Sequence, residues 1–549
     1  MVANKVKKYN KFIYLCLIVT TLAVTPFFSY DPINIIKLVS LSIFGMVAFF
    51  LILINIKFLN ILLGKKVATI IYFFIFWLFV SLFLSGFGIL EGFFGVAGRQ
   101  TGVLAYLALA SLFLFIILIG NKDLFPLIIQ AIWITSTVSI IYGVIQALGV
   151  DPFNWANPYS PVFGFFGNPN FQSSFIAMSA AAVSANIFYK NSTTKAKIFT
   201  ILTLVFSVVI IFKTNSKQGY LVLLAGLSVV IFLWIRSNDR IKKYSIFYLL
   251  LQFTSLIIVA LDIIQKTPWK SILFEESVSI RGDLWRAGWR MTINNPIFGV
   301  GIDGYRDSYR LFRDQAVANR VSGYVTVESA HNVFLDISSG GGLPLLIAYA
   351  LILVIVIKSC VIIIKRSTNF DPVFSGLFSG WVCYQVQSLI SINQIGIAIW
   401  GWVLSGALIS YEIVGRSVEL KSPNNEKQIR TNFLIERFGA FLAIILTIPI
   451  LITDAQFRSS VNSGDITKLQ AVAYQWPKSV IRMNLVAQVF RNSGYSKIAI
   501  DIARDATNLN PRNFDAWQEL YLMPNLEASE KAKVFEKMQE LDPFNLRAK

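Results

Sequence analysis

Residues 33–56, INIIKLVSLSIFGMVAFFLILINI, form an apolar run long enough to cross a lipid bilayer as a helix. A bilayer core of about 30 Å requires about 20 predominantly apolar residues in a helix. About thirteen runs of this kind follow one another, near residues 12–29, 33–56, 67–86, 103–119, 124–147, 170–188, 197–213, 218–235, 244–262, 333–364, 373–392, 395–415 and 434–453. The sequence of 549 residues therefore predicts an all-α, polytopic membrane protein of about thirteen transmembrane helices.

The composition excludes a soluble globular protein. Only 14% of the residues are charged and the mean hydropathy is +0.62, whereas about a quarter of the residues in a soluble domain are charged. The single histidine, His331, excludes His-rich metal clusters. The three cysteines each lie inside an apolar run, which excludes a disulfide framework. Redox chemistry is therefore not expected.

The formal net charge of +19 reflects membrane topology. Lys and Arg in short loops favour the cytoplasmic side of the membrane. With the N-terminus inside, they recur in alternate loops, at Lys57, Lys65, Lys66, Lys190, Lys195, Lys197, Arg236, Arg240, Lys242, Lys243, Lys365, Arg366, Arg416, Lys421, Lys427, Arg430 and Arg437. We predict a cytoplasmic N-terminus, and because these charges do not form one basic face, we expect no nucleic-acid partner.

Two long polar segments lie outside this alternation. One is a loop of about residues 263–332 within the predicted membrane domain, residues 1–453, and the other is a tail of residues 454–549. An odd number of spans places both on the outer side. In the tail, prolines 477, 511 and 543 lie 34 and 32 residues apart, close to the tetratricopeptide (TPR) period. We predict a TPR-like helical array, which offers a concave surface to a protein partner; the alternative is an amphipathic tail with coincidental prolines.

The outer loop contains two basic segments. In the first, residues 279–290, SIRGDLWRAGWR, predict a helix that ends before Pro296. Trp285 and Arg286 lie on different faces of this helix. Arg281 stands at its start, where a guanidinium beside free backbone N–H groups is suited to hold a phosphate.

The second basic segment follows a glycine turn. Residues 299–304, GVGIDG, match the dinucleotide pattern G-x-G-x-x-G, but no βαβ unit surrounds them, so we predict only a turn. Arg306, Arg310 and Arg313 follow at i, i+4 and i+7, beside an aromatic stripe one position earlier. A helix with these two stripes suits a membrane surface or an anionic lipid-carrier head group. We favour anchoring at the membrane surface over ligand contact.

The single histidine closes the outer loop. It lies in residues 329–336, SAHNVFLD, immediately before a long apolar run. A histidine at a membrane boundary is commonly a polar helix cap. The alternative is a general base, because neutral imidazole accepts a proton near pH 7. The residues alone leave both interpretations open.

These motifs together resemble a known family. The chain carries, in order, GNPNF at 167–171, KTNSKQG at 213–219, Arg281-x-x-x-Trp285, Asn295-Pro296-x-x-Gly299-x-Gly301, His331-Asn332-x-x-Leu335 and Gly342-Leu343-Pro344. Their order, spacing and sidedness resemble the O-antigen ligase and polymerase superfamily over roughly residues 90–415. That superfamily includes lipopolysaccharide O-antigen ligases, O-antigen polymerases and protein O-oligosaccharyltransferases.

The resemblance implies a GT-C-like, metal-independent glycosyltransferase in the cell inner membrane, with its active site and tail in the periplasm. In line with this resemblance, we expect neither a metal nor a cofactor. The implied donor is a glycan on undecaprenyl pyrophosphate. The position of His331 implies a base that activates the acceptor hydroxyl, and the positions of Arg281 and Lys217 imply cations that bind the pyrophosphate. Ligases usually carry Arg where Lys217 stands and many members carry Glu where Gly340 stands, which leaves the subfamily open.

Further candidate residues have alternatives beside them. Arg99, in an Arg-x-x-Gly element, is a candidate for binding the pyrophosphate, with a structural role as the alternative. The remaining candidates for contact with the substrate or the membrane are Asn332, Trp285, Arg286, Arg306 and Arg310.

Several functions agree with these motifs. The first choice is O-antigen ligase-type transfer to a lipid A-core acceptor. Polymerase-type transfer to a growing glycan and transfer to a protein hydroxyl are the enzymatic alternatives. A transporter or flippase for polyprenyl-linked sugars is the non-enzymatic alternative, but transporters usually bury ionisable groups near the bilayer midplane, where this sequence has almost none.

Overall fold

The structure of the protein is a computed structural model that describes residues 2–155, 160–263, 276–320, 326–419 and 430–544. These residues form 23 α-helices and no strand. The first eleven are α1 (Val2–Leu22), α2 (Asn34–Ile54), α3 (Ile56–Leu63), α4 (Lys65–Leu84), α5 (Ile89–Phe94), α6 (Val103–Ile119), α7 (Leu124–Ala147), α8 (Pro169–Phe188), α9 (Thr194–Lys213), α10 (Lys217–Arg236) and α11 (Ser245–Ile263).

The other twelve helices complete the loop, the bundle and the tail. Those of the loop are α12 (Glu276–Asn294), α13 (Tyr305–Phe312) and α14 (Gln315–Arg320). The long helices that follow are α15 (Val333–Arg366), α16 (Pro372–Ile390), α17 (Ile395–Glu419) and α18 (Phe433–Ser463). The tail contains α19 (Ile466–Ala473), α20 (Val480–Asn492), α21 (Ser496–Leu509), α22 (Phe514–Tyr521) and α23 (Ala528–Leu541).

The predicted all-α, polytopic class is confirmed. Each of the thirteen predicted apolar runs overlaps one of these helices. Within the described ranges, nine helices are long and apolar enough to cross a membrane, and α6 is apolar but shorter. The number of spans, the TPR-like character of the tail and the domain limits stay predictions.

Helix α6 lies at the centre of the bundle. All of its residues from Val103 to Ile119 are buried, which is the pattern of a helix that is apolar on every face. It packs between α2 and α17. The contact with α2 depends on a small residue, because a Cβ on Gly45 would lie 2.4 Å from the Cβ of Ala108.

Helix α15 is broken near its start. Gly342 has φ 76° and ψ 179°, and Pro344 follows it. The break leaves the N–H of Leu343 outside the helical ladder, where it donates to the carbonyl of Pro296 at 2.8 Å. Residues 333–341 thus form a short arm of α15 that packs against α12. We call the end of the bundle that carries this arm and α12–α14 the loop side.

The tail packs on the loop side. Its helices share a separate apolar cluster that includes Phe457, Phe490 and Phe514. Helix α23 contacts α13 of the loop. Pro511 and Pro543 stand just after the ends of α21 and α23.

Candidate active site

Two glycine-rich segments pair through their backbones on the loop side. The N–H of Val300 donates to the carbonyl of Ser339 at 2.7 Å, and the N–H of Gly301 donates to that of Gly340 at 3.1 Å. A Cβ on Gly299 would lie 2.5 Å from the backbone of Gly340. These glycines therefore allow the turn after α12 to pack directly against the arm of α15, in agreement with the prediction of a turn.

His331 lies at the junction of the loop and α15. Its backbone has φ 51°, in the left-handed region that only a few per cent of non-glycine residues adopt. Its N–H donates to Ser329 Oγ at 3.2 Å. Strained backbone positions of this kind cluster at functional sites.

Asn332, the next residue, caps α15. Its side-chain oxygen accepts from the N–H groups of Phe334 at 3.0 Å and Leu335 at 3.1 Å. Its Nδ2 donates to the carbonyl of Leu389, at the end of α16, at 2.9 Å. The structure therefore assigns a capping role to Asn332, and it is this residue rather than His331 that serves as the helix cap.

The electrostatic surroundings of His331 keep its imidazole neutral. Burial, together with the smaller effect of the positive charges of Arg281 and Arg99, lowers the pKa of His331 to about 4. The side chain is half-buried. An imidazole that stays neutral at pH 7 is able to accept a proton, as a general base must.

Helix α12 brings Arg281 into this environment. At Gly288 the helix packs on the arm of α15 and on the residues just before it, since a Cβ there would lie 3.6 Å from the Cβ of Leu335 and 3.3 Å from that of Ala330. Ala330 immediately precedes the histidine. The structure thus brings Arg281 close to the neutral imidazole. Because α12 begins at Glu276, Arg281 lies in its second turn, and the expectation that it stands at the start of the helix beside free backbone N–H groups is wrong.

Arg99 is engaged in a buried network. Its side chain is 6% exposed, and its Nε lies 3.2 Å from Asp303 Oδ1. Its Nη2 lies 3.7 Å from Asp336 Oδ2, and its Nη1 donates to the carbonyl of Glu328. Asp303 also accepts from Thr101 Oγ1 at 2.8 Å. These contacts connect the segment before α6 to the loop and to α15, which favours the structural alternative for Arg99.

Lys217 is the first residue of α10, and the residues on either side of it contact α8 at or just after the GNPNF motif. The hydroxyl of Ser216 donates to Asn170 Oδ1 at 2.7 Å. Asn168 caps α8 by accepting from the N–H of Asn170 at 2.8 Å. A Cβ on Gly219 would lie 2.7 Å from the Cβ of Ser173. The N-termini of α8 and α10 therefore lie side by side, and both ends carry partial positive charge.

The register of α10 against α16 locates Lys217 along the bundle. Cys383 Sγ donates to the carbonyl of Val222 at 3.2 Å, and a Cβ on Gly226 would lie 3.6 Å from the carbonyl of Ser379. The two helices are therefore antiparallel. The same register places Lys217, which is exposed, level with the end of α16 that the histidine segment contacts.

Trp285 and Arg286 have different environments on α12. Arg286 is held by Asp283 and by Asp314 Oδ2, which lies 2.9 Å from its Nε. Trp285 is half-buried, and its indole N–H has no hydrogen-bond partner within the described ranges. The structure thus pairs Arg286 inside the loop and buries the indole N–H of Trp285 without a partner among the described residues.

The arginine stripe contacts the tail. Arg306 Nη2 lies 3.0 Å from Asp515, and the buried Arg310 lies 3.4 Å from Asp515 and 3.3 Å from Asp542. The sequence predicts that these arginines face a membrane or a ligand, whereas in the structure they pair with carboxylates of the tail. Neither aspartate could be identified from the sequence, because no local pattern links residues about 200 positions apart.

No group of three or more His, Cys, Asp or Glu side chains suited to a metal ion is found among the residues that the structure describes. Fold and site together define a polytopic helical membrane protein with a cationic site beside a neutral histidine. A family model described as O-antigen ligase matches residues 202–350, which include Lys217, Arg281 and His331. The match, which covers about a quarter of the chain, confirms the resemblance of this segment to the O-antigen ligase and polymerase superfamily. No curated protein matches the chain.

Proposed function

We propose that this protein is a membrane glycosyltransferase that moves an oligosaccharide from undecaprenyl pyrophosphate to an acceptor hydroxyl at the periplasmic face of the inner membrane. The family match supports ligase- or polymerase-type activity in general. The ligase type, with a lipid A-core acceptor, is the function that we put forward. The observation that carries the proposal is the neutral imidazole of His331 beside the guanidinium of Arg281.

The proposed reaction is a displacement at the anomeric carbon of the donor. The acceptor O–H bond breaks, a bond forms between that oxygen and the anomeric carbon, and the bond from the anomeric carbon to the pyrophosphate oxygen breaks. His331 takes the acceptor proton. Arg281 and Lys217 stabilise the negative charge that develops on the departing pyrophosphate, which is the usual task of fixed cations in a water-poor site.

Donor binding also strengthens the base. In the free protein, Arg281 is one of the charges that lower the pKa of His331. A pyrophosphate bound to Arg281 offsets that charge, so the pKa of His331 rises when the donor is present. The imidazole therefore becomes a better proton acceptor only in the complex that reacts.

The test is transfer by purified protein in liposomes, with a pyrophosphate-linked glycan donor. We expect His331→Ala to lower kcat by about 10²–10⁴-fold, the usual contribution of a general base. We expect Arg281→Gln to lower kcat by about 10²–10³-fold, as the loss of one charge-stabilising donor does. The matched control is Arg290→Gln on the same helix, because Arg290 pairs with Asp314 Oδ1 at 2.5 Å. Normal transfer by His331→Ala protein would sink the assignment of the base.

The acceptor is distinguished by the glycans of a deletion strain. Lost attachment with accumulation of lipid-linked polymer indicates a ligase, and single repeat units that remain attached indicate a polymerase. Loss of glycoprotein bands alone indicates transfer to protein. Liposomes that move the lipid-linked sugar across the bilayer without transferring it would instead identify a flippase.

A further inference from the structure

The end of the tail is fastened to the loop by buried ion pairs. Asp542 follows α23 and is fully buried. Its Oδ2 lies 2.7 Å from Arg313 Nη2 and 3.3 Å from Arg310 Nη1, and both arginines are also buried. Charges removed from water in this way are stable only with close, well-aligned partners. Removal of one partner from this cluster would therefore leave an uncompensated charge buried between the tail and the loop.

A second contact lies one helix earlier in the tail. Asp515 accepts from Arg306 Nη2 at 3.0 Å and from Thr326 Oγ1 at 3.3 Å. The guanidinium of Arg310 lies 4.2 Å from the ring centroid of Phe514. This attachment combines charge, hydrogen bonding and cation–π contact. Helix α13 is therefore held by the tail along its whole basic face.

The same turn of the tail also contacts the bundle. Asn510 Nδ2 donates to Glu91 Oε2 at 2.8 Å, on α5, and to Asp307 Oδ2 at 2.6 Å, on α13. Arg512 Nη1 donates to the carbonyl of Ser85, just after α4, at 3.2 Å. The tail thus connects the membrane helices to the loop as well as covering the loop.

Helix α13 in turn holds α12 close to Arg281. The hydroxyl of Tyr305 donates to the carbonyl of Leu284 at 2.8 Å. Leu284, Tyr305 and Tyr309 belong to one buried apolar cluster. Leu284 lies three residues after Arg281, so the tail fixes α13 and α13 fixes the helical turn that carries the guanidinium.

We propose that the tail is a clamp that sets the position of Arg281, with Asp515 and Asp542 as positioning residues. The proposal rests on the glycosyltransferase function proposed above. The family match ends at residue 350, so the tail lies outside the matched segment, whereas the arginines that it contacts lie inside it. We expect loss of the clamp to lower kcat, because Arg281 acts on the charge that develops on the leaving group in the transition state. A displacement of a group by about 1 Å costs about 10²-fold in rate.

The test compares full-length Asp515→Asn and Asp542→Asn proteins with Glu530→Gln protein. Glu530 pairs with Arg504 at 2.5 Å inside the tail and makes no described contact with the loop, so Glu530→Gln is the matched control. We expect the two aspartate variants to lower kcat by about 10-fold to 10²-fold with little change in the KM of the acceptor. Asp515→Glu restores most of the rate, since Asp515 is partly exposed and its site has room for a longer side chain.

Hydrogen exchange measured on the same proteins identifies the cause. We expect faster exchange in residues 276–320 of the aspartate variants and unchanged exchange in the bundle. Faster exchange in the loop with an unchanged kcat would overturn the clamp while leaving the glycosyltransferase function intact. Unchanged exchange in the loop of both variants would also overturn the clamp. If Asp542→Asn loosens the bundle as a whole, Asp515→Asn decides the outcome. Absence of transfer by the unmodified protein would instead contradict the proposed function.

Discussion

At the scale of the residue, the chemistry depends on one imidazole and its surroundings. His331 occupies a left-handed backbone conformation immediately before the cap of α15, and its N–H donates to Ser329 Oγ. Burial and two nearby guanidinium groups oppose its protonation. The result is a histidine that is neutral across the physiological range, whereas an exposed histidine is partly protonated near pH 6.5.

The pH dependence of transfer tests this arrangement. Only neutral His331 accepts a proton, so kcat/KM falls as the pH falls through the pKa of the free enzyme, about 4. This fall is the acidic limb of the pH profile. In Arg281→Gln protein the acidic limb of the residual kcat/KM should lie at higher pH, closer to 6.5. In the unmodified protein the acidic limb of kcat, which reports the donor complex, should also lie at higher pH than the acidic limb of kcat/KM. Limbs that coincide in all three measurements would contradict the coupling of Arg281 to the base.

At the scale of the element, the site depends on the close approach of backbones. Gly301 has φ 108°, and a Cβ there would lie 2.3 Å from the Cβ of Phe87. Its N–H and that of Val300 hold the turn against the arm of α15. That arm begins at Asn332, so the turn and the histidine are parts of one packed unit.

Substitution of this glycine measures the contribution of the turn. We expect Gly301→Ala to lower the free energy of unfolding by about 2–4 kcal/mol, because it adds backbone strain and overpacking at once. The matched control is Gly282→Ala in α12, where a Cβ meets no atom within 4 Å. There the helix preference of alanine should leave stability unchanged or raise it by up to about 1 kcal/mol. Thermal unfolding in detergent is the measurement, and equal Tm values for the two variants would contradict the prediction.

At the scale of the whole molecule, the tail, the loop and the bundle meet at a pair of carboxyl groups. Glu91 and Asp307 share the amide of Asn510. Burial raises the pKa of both groups; the charge of Asp307 raises that of Glu91 further, and the charge of Asp515 raises that of Asp307. Arg306 opposes these shifts for both carboxyl groups.

Docking of the tail should therefore strengthen on mild acidification. A carboxyl whose pKa is raised in the docked state takes up a proton on docking, so docking weakens as the pH rises above the ordinary carboxyl pKa of about 4 towards neutrality. Hydrogen exchange in α13 between pH 8 and about pH 5.5, corrected for the intrinsic rate, is the measurement. Glu91→Gln should remove most of the dependence. Protection that falls on acidification would contradict the assignment.

Local physics accounts for what the sequence alone determined about this protein. Apolar runs of bilayer length specify the helices wherever they pack, and Asn332 caps the start of α15 through bonds to its own neighbours. The order of the histidine, arginine and lysine motifs likewise carries the resemblance to the O-antigen ligase and polymerase superfamily, because that order is a property of the chain. The carboxylate partners of Arg99 and Arg310 were decided only by the tertiary structure. Ion pairs such as that of Arg310 with Asp542 join residues 232 positions apart, and their strength depends on burial that no sequence period encodes.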